Sequence, residues 1–135
     1  MAIRIDTDQQ NAQLDNSGSG PVAEMANSGT LKIYTGAQPA SANDAATGTL
    51  LCTITLPADA FGAAAAGAAA KAGTWSATVT TGGTAGWFRL ANTGDTQRLD
   101  GTCGLGGGDL SFDDNVLVQD GTVIVDTFSV SQPAA

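Results

Sequence analysis

Thr49-Leu50-Leu51-Cys52-Thr53-Ile54-Thr55-Leu56 sets Leu50, Cys52, Ile54 and Leu56 on one side of an extended chain and Thr49, Thr53 and Thr55 on the other. A two-residue period of this kind suits a sheet with one face buried and suits no helix. Pro57 follows and ends the strand, because proline cannot donate to the ladder. The same grammar recurs along the chain. Thr30-Leu31-Lys32-Ile33-Tyr34-Thr35 alternates and is rich in β-formers. Trp75, Ala77 and Val79 share a face, and Gly86-Trp87-Phe88-Arg89-Leu90 sets Phe88 and Leu90 opposite Trp87 and Arg89. Asn92-Thr93-Gly94-Asp95 is a turn from which residues 96–102 pair back as a hairpin.

Further on, residues 109–112 and 115–119 read as short strands around the Asp113-Asp114 turn. Asp120-Gly121 reads as a hairpin turn, and residues 122–130 as one last long strand with Ile124, Phe128 and Val130 on a common face. The alanine- and glycine-rich stretch Phe61 to Gly73 lacks an apolar stripe and is expected to be a long loop holding a short helical turn. The expected fold is therefore all-β. It is a single-domain β-sandwich or closed barrel of about seven or eight short antiparallel strands.

Residues 1–29 differ from the rest. They are polar, carry Asp6, Asp8, Asp15 and Glu24, and are broken at Asn16-Ser17-Gly18-Ser19-Gly20-Pro21. They read as an extended N-terminal arm ahead of a β domain at 30–135; residues 7–14 could make a short helix, but only Leu14 offers it a large apolar anchor. At 135 residues there is room for one domain of this kind. Its core should be thin, since alanine inflates the apolar share and the chain has two Trp, one Tyr and four Phe to fill volume. Contacts with neighbouring subunits are expected to supply part of its stability.

Charge narrows the partners. Thirteen acids against five bases give a formal net charge of -8, which repels phosphate and argues against nucleic acid. Lys32, Lys71, Arg89 and Arg98 are scattered in sequence and form no basic run. No apolar run is long enough to span a bilayer, and the N-terminus lacks the pattern of a signal peptide, so synthesis in the cytoplasm is expected.

Catalytic chemistry finds little to use. With no histidine, the usual neutral-pH acid/base and the commonest metal ligand are missing. Asp95, Asp100, Asp109, Asp113 and Asp114 are the candidates for a glycosidase carboxylate pair, but each lies in or beside a turn, where aspartate bonds its own backbone. Asp109, Asp113 and Asp114 are also the candidates for a calcium site, at a spacing that matches no EF-hand. The glycine run 104–108 lacks the following helix that a phosphate loop requires. Cys52 and Cys103 match no metal spacing and read as small buried hydrophobes, with a disulfide open to them only if the fold brings them together. No catalytic, cofactor-binding or metal-binding residue is assigned, and no enzyme activity or cofactor is expected.

Several stretches taken together resemble a family of small structural proteins of tailed bacteriophages and prophages. They are Gly29-Thr30-Leu31-Lys32-Ile33-Tyr34-Thr35-Gly36-Ala37-Gln38-Pro39-Ala40-Ser41, Ala45-Ala46-Thr47-Gly48-Thr49-Leu50-Leu51-Cys52-Thr53-Ile54-Thr55-Leu56, Ala60-Phe61-Gly62-Ala63-Ala64 and Gly83-Thr84-Ala85-Gly86-Trp87-Phe88-Arg89-Leu90. The resemblance implies a minor capsid or decoration (cement) protein on the outside of a phage head. It further implies partnership with the major capsid protein and with copies of itself, as a trimer. Two other placements remain open. A tail, baseplate or fibre component would share the composition, and a glycan-binding module would need Trp75, Trp87 and Tyr34 exposed on a shallow face.

Overall fold

The computed structural model describes residues 4–5, 26–62, 68–96, 98–105, 110–112, 116–125 and 128–131. They form short strands with no helix among the elements. These are β1 (Arg4–Ile5), β2 (Thr30–Tyr34), β3 (Leu50–Thr55), β4 (Ala68–Ala70), β5 (Trp75–Thr78), β6 (Gly83–Thr84), β7 (Trp87–Ala91), β8 (Arg98–Leu105), β9 (Leu110–Phe112), β10 (Val116–Leu117), β11 (Thr122–Val125) and β12 (Ser129–Ser131). Residues 7–14, which could make a short helix, lie outside the described residues.

The main sheet runs β1-β8-β7-β2-β3, with β9 also on β8. It is antiparallel except for β8 and β9, which pair in parallel. Its ends do not meet, so the sheet is open and no barrel closes. The hairpin expected after Asn92-Thr93-Gly94-Asp95 is present, with Ala91 opposite Arg98 and Trp87 opposite Thr102. Arg4 and Ile5, from the expected arm, pair with Asp100 and Leu99 on β8. Ala26 is fully buried in the core, and Ser28 donates its amide to the Pro57 carbonyl, so the chain is tied to the β domain before β2 begins.

The second layer is one interrupted ribbon. Residues 68–84 run antiparallel to residues 116–131, through β4 with β12, β5 with β11 and β6 with β10. The chain corners at 79–82 and 118–121, between the β5–β11 and β6–β10 pairings. Val79 and Asp120 stay bonded across the corner, and the amides of Thr80 and Thr81 both reach the Leu51 carbonyl on β3. Asp120-Gly121 is therefore a kink within one strand of the ribbon, not a hairpin between neighbours, because the segments on both sides of it pair with the same distant partner. The long strand expected at 122–130 is divided into β11 and β12.

The core lies between sheet and ribbon. Leu31, Ile33, Cys52, Ile54, Phe88, Leu90 and Leu99 meet Trp75, Val79, Val123, Val125 and Phe128 in one buried cluster. Phe128 is its hub, with ring centroids 5.5 Å from Phe88 and 5.7 Å from Trp75, while Phe61 packs edge-on to Trp75 at 5.5 Å. Aromatic rings at these separations add to simple area burial. Phe61, Trp75, Phe88 and Phe128 thus converge on one point, offsetting the alanine-rich composition.

Three expectations are corrected. Leu50 is 37% exposed and Leu51 is buried, because a β-bulge between Ile33 and Tyr34 shifts the β2–β3 register and turns the extra residue inward. Ile124 does not share a face with buried Phe128: it is 56% exposed. Val123 and Val125 lie opposite Ala77 and Trp75, whose inward faces set the phase of β11. Where residues 61–73 are described they are extended, with β4 and a bridge between Phe61 and Lys71 where a helical turn was expected. The three glycines interrupt the alanines, and pairing with β12 supplies the backbone bonds a short helix could not. Residues 63–67 lie outside the described residues.

Candidate interaction surfaces

Every residue of β7 is buried, so the main sheet is covered on both faces. Phe88 and Leu90 turn to the core. Trp87 and Arg89 turn the other way and head a second cluster built from three strands. Trp87 lies opposite Tyr34 on β2, and the two rings stack at 4.6 Å with planes 13° apart. The Arg89 guanidinium lies 5.3 Å from the centre of the Trp87 ring, within cation–π range. Arg89 then closes a bidentate pair with Asp100 on β8, Nε to Oδ1 at 2.8 Å and Nη2 to Oδ2 at 2.9 Å. Both charged side chains are removed from water, at 5% and 0% exposure. A buried pair needs such two-pronged geometry to offset its desolvation.

The cover on this face is the loop 36–48. Trp87 Nε1 donates to the Thr47 carbonyl at 3.2 Å, and Arg98 Nη1 donates to the Ala42 carbonyl at 3.4 Å. Ala42 is fully buried beneath it. Thr35 closes the loop's base, accepting from the Thr49 amide at its hydroxyl and donating its own amide to the Thr49 carbonyl. Gly36 and Gly48 turn there at positive φ, +83° and +81°. Gly86 approaches so near that a Cβ on it would collide with the Gly36 backbone. Arg98 also holds Asp95 at 2.9 Å, and its guanidinium keeps the Asp95 carboxyl below the ordinary range. Burial pushes the Tyr34 phenol up.

Lys32, Arg89 and Arg98 stand on this one face although they are scattered in sequence, and Arg4 pairs in register with Asp100. The transverse row Lys32, Arg89, Asp100, Arg4 crosses four strands. Sequence spacing hides this convergence, because only strand order brings residue 4 near residue 100.

Of the carboxylates weighed for catalysis, Asp95 and Asp100 are described. Asp95 and Asp100 are each engaged by a different arginine, and Asp100 is sealed inside the protein. Asp109, Asp113, Asp114 and most of the glycine run lie outside the described residues. Among the described residues no group of three potential ligands could hold a metal ion. Trp75 and Trp87 are fully buried and Tyr34 is 9% exposed, so the shallow aromatic face a glycan-binding module needs is not built from them. Cys52 and Cys103 lie on β3 and β8 with β2 and β7 between them, and no disulfide joins them.

The ribbon offers the second surface. From 75 to 85 and from 116 to 125 the even-numbered residues are exposed throughout, through the corner and beyond it, while Trp75, Val79, Leu117, Val123 and Val125 turn inward. Val116, Val118 and Ile124 stand 53%, 69% and 56% exposed on this side.

Compared with protein-family models, with curated proteins and with solved structures, the chain matches none.

Proposed function

We propose that this chain is a non-enzymatic virion structural protein of a tailed bacteriophage, a minor capsid or decoration (cement) subunit on the outer surface of the head. The phage assignment rests on the sequence stretches quoted above. The structural observation that carries the subunit reading is how the chain uses its reactive and aromatic groups. Trp75, Trp87, Tyr34, Arg89 and Asp100 are all consumed in packing. What faces outward is a β body with an acidic balance and one sheet face that carries a single charge, Asp120. A cement subunit works by touching its neighbours, and such a body provides stiffness and contact area without a reaction centre. Its partners in this reading are the major capsid protein and further copies of itself, in a trimer. The net charge of -8 keeps it from packaged DNA.

The test is placement and copy number. Purified protein added to undecorated heads should cosediment at a fixed stoichiometry, and label on intact particles should appear around the head. Label confined to the tail or baseplate would replace this reading with the tail-component one. Absence from particles altogether would remove both.

A further inference from the structure

We propose that the outward face of the ribbon formed by β5, β6, β10 and β11 is the surface through which two copies of this chain bind each other. The proposal rests on the self-association in that reading and makes the contact a twofold pair in place of a threefold ring. Three observations carry it.

The first is exposure. On both segments the even-numbered residues are exposed on either side of the corner at 79–82 and 118–121, where Thr81 and Gln119 are exposed as well. The second is chemistry. Thr78, Thr84, Val116, Val118, Thr122 and Ile124 present β-branched side chains, the kind that interdigitate when two sheets stack face to face. The third is charge. Among the outward alternate positions of both segments Asp120 alone is charged, on a chain of net charge -8. Two such chains repel one another at every charged surface, and the repulsion within a contact is least where the contact holds no charge. A strongly basic partner would be matched by acids on the docking face, and this face has almost none. A second copy can meet it patch to same patch around a twofold axis.

Sedimentation velocity over a wide concentration range tests this. The wild-type chain should show a concentration-dependent dimer that strengthens with added salt, since salt screens the repulsion between acidic copies; a contact made of ion pairs would weaken. Val118→Asp with Ile124→Asp should raise the dissociation constant at least ~10-fold. Asp120→Asn should lower it severalfold. Asparagine tolerates the φ of +68° at this position, so the fold is kept and a gain of association cannot arise from unfolding. Thr53→Asp, on the opposite face of the main sheet, should change nothing. A chain monomeric at every concentration, or one whose dimer ignores both the Asp120 and the Val118/Ile124 changes, overturns the proposal. Dimers through this face with phage heads left bare would keep the inference and remove the capsid reading. Heads coated by a strict monomer would do the reverse.

Discussion

Arg89 on β7 and Asp100 on β8 stand directly opposite each other and are joined by two hydrogen bonds, with both side chains buried. Removing one partner strands the other's charge in a dry site, at a cost of about 3–5 kcal/mol. Domains of this kind are stable by about 5–15 kcal/mol, so that loss decides whether the chain stays folded at growth temperature. Asp100→Leu or Arg89→Met should each lower the urea midpoint sharply. The double variant should recover most of the loss, because no charge is left unpaired. Losses that simply add would show that the pair is not coupled.

Gly86 is placed so that the loop 36–48 can close on Trp87. Gly86→Ala drives a methyl into the Gly36 backbone. It should cost about 1–3 kcal/mol, the usual range for overpacking. It should also lift the loop's base, so that the Trp87 indole loses the Thr47 carbonyl and tryptophan emission shifts to the red. Gly94→Ala is the control: its nearest neighbour is the Thr96 methyl at 3.9 Å, and it should be nearly neutral. Equal effects of the two substitutions would break the link between Gly86 and the loop.

The Asp95–Arg98 pair gives an acid-side prediction. Arg98 lowers the carboxyl's folded-state value below its unfolded one. Its stabilisation is therefore complete above the unfolded value of about 3.9 and is lost as pH falls through the lower folded value. Because Asp95 is 54% exposed, the pair is worth under ~1 kcal/mol. Asp95→Asn should lower neutral-pH stability by no more than that and flatten the melting profile below pH ~4. A proton titration of Asp95 at the ordinary carboxylate value would contradict the ion pair.

The strands were legible where burial on one face imposes a clean alternation. β2, β3, β5 and β7 fall where the period of two places them, and Trp75, Phe88, Leu90, Cys52 and Ile54 are in the core as their phase requires. What alternation cannot carry is pairing. The bulge that buries Leu51 depends on register against Ile33 and Tyr34. The inward phase of Val123 and Val125 is set by Trp75 and Ala77, some fifty residues away, and Ile124 is equally apolar, so composition alone cannot choose between them. Asp120-Gly121 carries the chemistry of a turn, and it does turn, but whether a turn makes a hairpin or a corner is decided by what lies across the ribbon. The outer cluster was half legible for the same reason. Adjacent Trp87 and Phe88 must face opposite ways, so one needed a cover. That the cover is the chain's own loop, pinned by Thr47 and Ala42, follows from tertiary contact.

Cys52 and Tyr34 together predict an alkaline weakness. Burial pushes the Cys52 thiol up to about 11 and raises the Tyr34 phenol as well. A raised folded-state value means the stabilisation is whole below the unfolded value and is lost as pH rises through the folded one. Thermal stability should hold to about pH 9, where an unburied thiol begins to titrate, and then fall by about 2 kcal/mol toward pH 11. Cys52→Ala should flatten the first part of that decline. The thiol should also be unreactive in the native state at neutral pH, since both its burial and its scarce thiolate protect it. It cannot pair with Cys103 within one chain, because three strand spacings of about 4.8 Å separate β3 from β8. Ellman's reagent on native protein should therefore leave Cys52 unlabelled, and after denaturation without reductant it should count both thiols. A missing thiol in the denatured count would reveal a covalent link that this strand order forbids inside one subunit.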